Sequence, residues 1–159
     1  MGTHYRGTPR ETRALDAFIK LMRASDSIDA ELNRHLREIG LTQGQLAILE
    51  ALLHLGPMSQ QQLAAKILRS GSNVTTVVDN LEKQELVRRT RRSDDRRVVE
   101  VSLTAKGRRH IEERFPTHVR RVTELLAALE PEEQAQLATL CRKLGRSVGP
   151  AKAGPHKDQ

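Results

Sequence analysis

The sequence predicts a mainly α-helical chain interrupted once by a small β-hairpin. Three observations carry this. Apolar residues recur at helical spacing over most of the chain, strand-like patterning is confined to residues 86–103, and Gly or Pro breaks separate the segments. At 159 residues the chain can hold one domain with a real core, or two small ones sharing helices.

Over residues 10–39, Leu15, Phe18, Met22, Leu32, Leu36 and Ile39 keep helical spacing, so a long first helix is expected, closed by Gly40. A second helix, roughly 42–54, has Leu46, Leu49 and Leu53 on one face and Ile48, Leu52 and Leu55 on another. A helix apolar on two faces is a buried one. Gly56-Pro57 breaks the chain, and Ser59 with Gln62 forms a capping-box pattern that opens a short helix carrying Leu63 and Ile67.

After the turn at 69–71 a fourth helix is expected to start near Ser72. Val74, Val77, Val78 and Leu81 form its buried stripe, leaving Ser72, Asn73, Thr75, Thr76, Asp79, Asn80 and Lys83 on the other side. Residues 86–90 and 99–103 read as paired strands joined by the tip Arg-Arg-Ser-Asp-Asp-Arg-Arg at 91–97. Thr104 can cap a fifth helix reaching about residue 129, with Ile111, Val119, Val122, Leu125 and Leu126 buried and Pro116 expected to kink it. Pro131 suits the first turn of a sixth helix, with Glu130 a weak cap before it and a stripe of Leu137, Leu140, Cys141, Leu144 and Val148. Residues 1–9 and 149–159 read as flexible tails.

The balance of 27 Lys and Arg against 20 Asp and Glu leaves a net charge of +7, which makes a polyanion the first partner to consider. With Cys141 alone, neither a disulfide framework nor a multi-cysteine zinc site can form. No apolar run approaches a membrane span and the N-terminus has no signal core, so no membrane partner and a cytoplasmic location are expected. Aromatic residues are limited to Tyr5, Phe18 and Phe115, which argues against single-strand binding on stacking platforms.

A short helix, a turn, an amphipathic helix and an Arg-tipped hairpin, in that order, form a winged helix-turn-helix. A helix fits the major groove of double-stranded DNA, and hydroxyl and amide side chains at its start can reach base edges and phosphates. Guanidinium groups on a hairpin tip suit the electronegative minor groove beside it. The expected DNA contacts are therefore Ser70, Ser72, Asn73, Thr75 and Thr76 on the helix and Arg91, Arg92, Arg96 and Arg97 on the wing.

The runs Gly71-Ser-Asn-Val-Thr-Thr-Val-Val-Asp-Asn-Leu-Glu82, Leu86-Val-Arg-Arg89, Asp94-Asp-Arg-Arg97 and Val101-Ser-Leu-Thr-Ala-Lys-Gly107 resemble the MarR (multiple antibiotic resistance regulator) family over nearly the whole chain. The resemblance implies an obligate homodimer, built from N- and C-terminal dimerisation helices, on a pseudo-palindromic operator. Residues 10–40 and 105–148 would form the dimerisation region and 41–104 the DNA-binding region. It also implies an ion pair between Asp79 and Arg97 that fixes the wing. A dimer fits the residues themselves, because the stripes on the first and last helices have little else to bury against.

Members of this family usually bind small aromatic or phenolic effectors between the dimer helices and the DNA-binding lobes. Lys66-Ile-Leu-Arg-Ser-Gly-Ser72 and Phe115-Pro-Thr-His118 are most similar to the branch controlling hydroquinone and catechol resistance. Candidate pocket residues are Met22, His35, Leu49, His54 and Phe115, set against the simpler reading that they are core. Cys141 on an apolar stripe reads as a small hydrophobe rather than a thiol sensor. His110 with Glu113, joined by His35 or His54, is the only zinc arrangement to consider, and solvated or core histidines are the favoured reading. No cofactor is expected. No phosphate loop, His-Glu-x-x-His or nucleophile elbow is present, so no enzymatic role is assigned. The expected function is sequence-specific transcriptional repression released by a phenolic or quinone-like ligand. The alternatives are a non-specific architectural DNA binder and a zinc-responsive regulator of the same fold.

Overall fold

The computed structural model describes residues 4–67, 74–91 and 99–148. Within them run α1 (Pro9–Glu38), α2 (Gln43–Leu55), β1 (Met58–Ser59), α3 (Gln60–Lys66), α4 (Val74–Lys83), β2 (Val87–Arg91), β3 (Val99–Leu103), α5 (Ala105–Leu126) and α6 (Pro131–Val148). The chain divides into two compact units, Met1–Val122 and Thr123–Gln159.

Three helices start with the same device. Thr8, Thr42 and Ser59 each accept from the backbone N–H three residues on, while Glu11, Gln45 and Gln62 reach back to the cap's own N–H. Each box satisfies two donors that a helix start leaves unpaired. Gly40, at φ +73°, ends the first helix in a conformation that costs other residues strain.

The sheet has strand order β1-β3-β2, antiparallel throughout, with Met58 opposite Val101 and Val87 opposite Leu103. β1 was not expected from the sequence. Two residues show no alternation, and the strand exists only because β3 offers an edge beside α3.

The core of the first unit gathers Leu36 of α1, Leu46, Ile48, Leu49 and Leu52 of α2, Leu63 of α3, Val78 and Leu81 of α4, Val87 and Val101 of the sheet, and Ile111 of α5. Each fully buried aliphatic side chain contributes roughly 1.5–3 kcal/mol of transfer free energy. α2 is buried on two faces as expected, except at its last residue, Leu55, which is exposed. Arg114 Nε of α5 donates to the carbonyl of Ile39 at 3.1 Å, and Arg121 pairs with Glu31, so α5 is tied to α1 at two levels.

α5 runs through Pro116 without a break in the helix. Val119, expected to be buried, is 45% exposed. Helical periodicity marks an apolar face but does not say what covers it. The same holds for α6, where Leu137, Leu140 and Leu144 are 40%, 62% and 49% exposed and Cys141 is exposed with them. The weak cap at Glu130 is helped from inside the helix, because its N–H donates to Glu133 Oε2 at 2.9 Å.

Candidate nucleic-acid interface

The surface expected to meet DNA is built from α4 and the hairpin that follows it. α4 buries Val78 and Leu81 fully and Val74 and Val77 in part, which turns Thr75, Thr76, Asn80 and Lys83 outward. Over ten residues it is about 15 Å long. Thr75 and Thr76 lie in its first described turn; Ser70, Ser72 and Asn73 lie outside the described residues.

In β2 the side chains of Val87 and Arg89 share one face, two residues apart. Val87 fills the core, so Arg89 is carried in toward α4 and is 23% exposed. Its Nη2 donates to Asp79 Oδ1 and its Nη1 to Glu82 Oε2, each at 2.5 Å. The other Glu82 oxygen accepts the backbone N–H of Arg89 at 3.0 Å. Partial burial works against the Arg89 charge, but the hydrogen bonds it donates to Asp79 and Glu82, with their negative charges, outweigh it and raise the guanidinium pKa. Two carboxylates of α4 thus hold one arginine of the wing.

Sequence reasoning singled out Asp79 but not Arg89 or Glu82. The available signal was the alternation of β2, which places 89 on the same side as 87. Arg97, the implied partner of Asp79, lies outside the described residues, as do Arg92 and Arg96. Arg91 is the last residue of β2 and is exposed, so the strand delivers it to the tip.

A second latch fixes the other end of the wing. Thr104 Oγ1 donates to the carbonyl of Glu85 at 2.6 Å and accepts the N–H of Gly107 at 2.9 Å. Lys106 Nζ donates to the carbonyl of Gln84 at 2.8 Å. Gly107 packs so tightly that a Cβ there would sit 1.8 Å from the carbonyl oxygen of Leu86. The run Leu103-Thr-Ala-Lys-Gly107 therefore ties the α4–β2 turn to the start of α5 through Thr104, Lys106 and Gly107.

Behind this surface, three of the candidate pocket residues meet in a row of rings. His54 lies 5.4 Å edge-on from Phe115, Phe115 is 6.3 Å from His118, and His118 stacks on His35 at 6.0 Å. His118 was not singled out from the sequence. His35 Nε2 and His118 Nδ1 are buried without a hydrogen-bond partner. Burial, and then the neighbouring His35, push the His118 pKa below its ordinary value. A cleft of about 210 Å³ opens beside His118 between Asp29, Leu32 and Leu36 of α1 and Gln43, Leu46, Ala47 and Glu50 of α2. Leu49 is fully buried in the core, and Met22 is exposed about 20 Å up α1 from His35.

Among the described residues, no group of three or more His, Cys, Asp or Glu side chains is placed to hold a metal ion. No described helix is long and apolar enough to cross a membrane.

The MarR family model matches residues 41–99, which span α2, the helix-turn-helix and the hairpin. The chain is 35% identical over 133 residues to the HTH-type transcriptional regulator MhqR of Bacillus subtilis (strain 168), covering 84% of this chain and 92% of MhqR. Among solved structures it resembles Sco3205, a MarR family transcriptional regulator from Streptomyces coelicolor in complex with DNA. The TM-score is 0.80 at 25% identity, covering 94% of this chain and 96% of that one. It also resembles BpsR of Bordetella bronchiseptica, whose DNA binding is regulated by 6-hydroxynicotinic acid, with a TM-score of 0.72 at 26% identity, covering 81% and 98%.

Proposed function

Because this chain belongs to the MarR family, we propose that it is a homodimeric repressor that reads a pseudo-palindromic operator and is released by a small phenolic or quinone-like ligand. The observation that carries this reading is the Arg89 clamp. It makes the outward hydroxyl and amide face of α4 and the arginine-bearing hairpin one rigid surface, as a major-groove helix with a minor-groove wing requires. The DNA complex of Sco3205 supports the same use of the fold.

In this reading Ser70, Ser72, Asn73, Thr75 and Thr76 contact bases and phosphates at the start of the recognition helix. Arg91, Arg92, Arg96 and Arg97 serve the wing. Arg97 would share the Asp79 carboxylate with Arg89, doubling the link between wing and helix. Residues 41–104 act as the DNA-binding region, and 10–40 with 105–148 as the dimerisation region. The exposed stripes support dimerisation: Leu15, Phe18, Leu21 and Met22 on α1, and Leu137, Leu140 and Leu144 on α6. Apolar residues gathered on one face in this way mark a protein interface. The protein acts in the cytoplasm, where its operator is.

The regulation of BpsR by a one-ring hydroxy acid supports a small aromatic effector here. His35, His54 and Phe115, with His118, would line the effector site; Met22, exposed about 20 Å away along α1, and Leu49, sealed in the core, lie apart from it. The test is fluorescence anisotropy of a duplex from the gene's own upstream region against a scrambled duplex, with and without phenols, quinones, hydrogen peroxide and zinc. Tight binding of the native duplex, released by a phenol or quinone, supports the reading. Release by zinc alone favours a metal sensor. Equal binding of both duplexes makes the chain an architectural DNA binder.

A further inference from the structure

Glu85, between α4 and β2, is the one residue other than glycine with a positive φ among the described residues, at 59°. Its N–H donates to the carbonyl of Glu82 at 2.9 Å, and the Leu86 N–H donates to the carbonyl of Leu81 at 2.9 Å. These two bonds form the Schellman pattern that closes a helix C-terminus. Leu81 and Leu86, the apolar pair that accompanies the pattern, are both buried. Glycine or asparagine is the ordinary occupant of the left-handed position, and a glutamate there carries a backbone penalty. What glutamate has and glycine lacks is a carboxylate. Glu85 Oε2 accepts from Lys106 Nζ of α5 at 3.1 Å, and the same ammonium donates to the Gln84 carbonyl at 2.8 Å. The N–H of Thr104 donates to the Leu86 carbonyl at 3.0 Å, and its hydroxyl to the Glu85 carbonyl at 2.6 Å. Three consecutive carbonyls at the exit of α4 are thus held from the start of α5.

We propose that Glu85 and Lys106 are positioning residues for operator recognition, fixing the end of α4 and the start of the wing against α5. The inference rests on the DNA-reading role of α4 and the hairpin given above, and adds two residues that act through those elements. The pair is exposed, 56% at Lys106 and 80% at Glu85, so it adds little to folding. Thr104 and Gly107 already hold the turn through hydroxyl, backbone and close packing. A strained glutamate whose pair adds little stability is therefore explained by geometry rather than by folding, and such outliers gather at functional joints. β2 leaves α4 through this turn, so fixing it presets the recognition surface. A preset surface loses less freedom when it docks. Charge separates this role from simple attraction. Removing a carboxylate from a DNA-binding chain strengthens binding to any duplex on charge alone, whereas a positioning role requires weaker discrimination of the operator.

The test is anisotropy at fixed salt on the full-length protein, with the native upstream duplex against a scrambled one, alongside thermal melts. Glu85→Gly relieves the backbone penalty, so its melting temperature should be unchanged or raised by a few degrees. Its preference for the native duplex should nevertheless fall about threefold to fivefold. Lys106→Met should lose a comparable preference, and Lys106→Arg, which keeps a cation on a long stem, should retain most of it. Because the two residues act as a unit, the double variant should lose no more than Lys106→Met alone. An unchanged or higher preference in Glu85→Gly overturns the inference, as does a preference that falls only in step with the melting temperature. If the wild-type protein discriminates and both variants do so equally well, the inference falls alone. If the wild-type protein does not discriminate, the sequence-specific reading falls with it.

Discussion

Arg89 on β2 and Asp79 on α4 are joined by a hydrogen-bonded ion pair, Nη2 to Oδ1 at 2.5 Å, in a surface where Arg89 is 23% and Asp79 46% exposed. Partly exposed pairs of this kind contribute little to folding, about 1 kcal/mol or less. In the DNA-binding reading proposed above their role is geometric, since they join β2 to α4. Arg89→Ala is therefore expected to lower operator affinity by about tenfold or more while shifting the melting temperature by only a few degrees. Anisotropy titrations and thermal melts on the same preparation measure both. A large loss of stability with unchanged affinity per folded molecule would show that the pair holds the fold instead.

Gly107→Ala should behave in the opposite way. Its Cβ would meet the Leu86 carbonyl oxygen at 1.8 Å, and the atom in the way is backbone, which cannot rotate aside. A loss of about 1–3 kcal/mol is expected from this overpacking, read by urea denaturation. Thr104→Val should cost roughly 1–2 kcal/mol, because the Gly107 N–H and the Glu85 carbonyl lose their partner.

The α6 stripe makes a prediction about assembly. Leu140 is 62% exposed in the single chain, so Leu140→Glu leaves the chain's own core unaffected but should destabilise a dimer that buries this face. Sedimentation velocity is expected to show a shift toward monomer, with operator binding weakened at the same time. An unaltered dimer would place the two-fold contact elsewhere.

Stability should fall with acid in the range where histidine titrates. The pKa values of His118 and His110 are lowered in the folded chain, chiefly by burial, against about 6.5 when unfolded. The unfolded state therefore binds more protons between the two values. Stability is fully present above pH 6.5 and is lost as the pH falls through that window. Melting temperatures measured from pH 8 to pH 5 should decline, and His118→Gln should flatten the decline.

Several helix boundaries were legible to within a residue because periodicity, caps and Gly or Pro breaks agree: Thr104 before α5, Pro131 opening α6 and Gly40 after α1; the end of α5 was not, falling at Leu126 rather than near 129. The outward face of α4 could be read the same way, since Val78 and Leu81 fix which side is in. What could not be read depends on tertiary placement. β1 is two residues long and needs β3 to exist. Arg89 sits in a run of basic residues, and only the fold shows that Asp79 and Glu82 reach it. His118 joins His35 through the packing of α5 on α1, across more than eighty residues of chain. The stripes at Val119 and on α6 show the limit in reverse, because an apolar face was legible but its partner was not.

The central claim is that a two-fold dimer reads specific DNA, and hydroxyl-radical footprinting of the gene's upstream region at fixed salt tests it most directly. The account predicts two protected half-sites about 10 base pairs apart, centre to centre, each flanked by protection in the adjacent minor groove where the wing lies. The flanking protection should weaken selectively in Arg97→Ala and remain in Lys152→Ala. Uniform protection along the duplex, without paired half-sites, would contradict it.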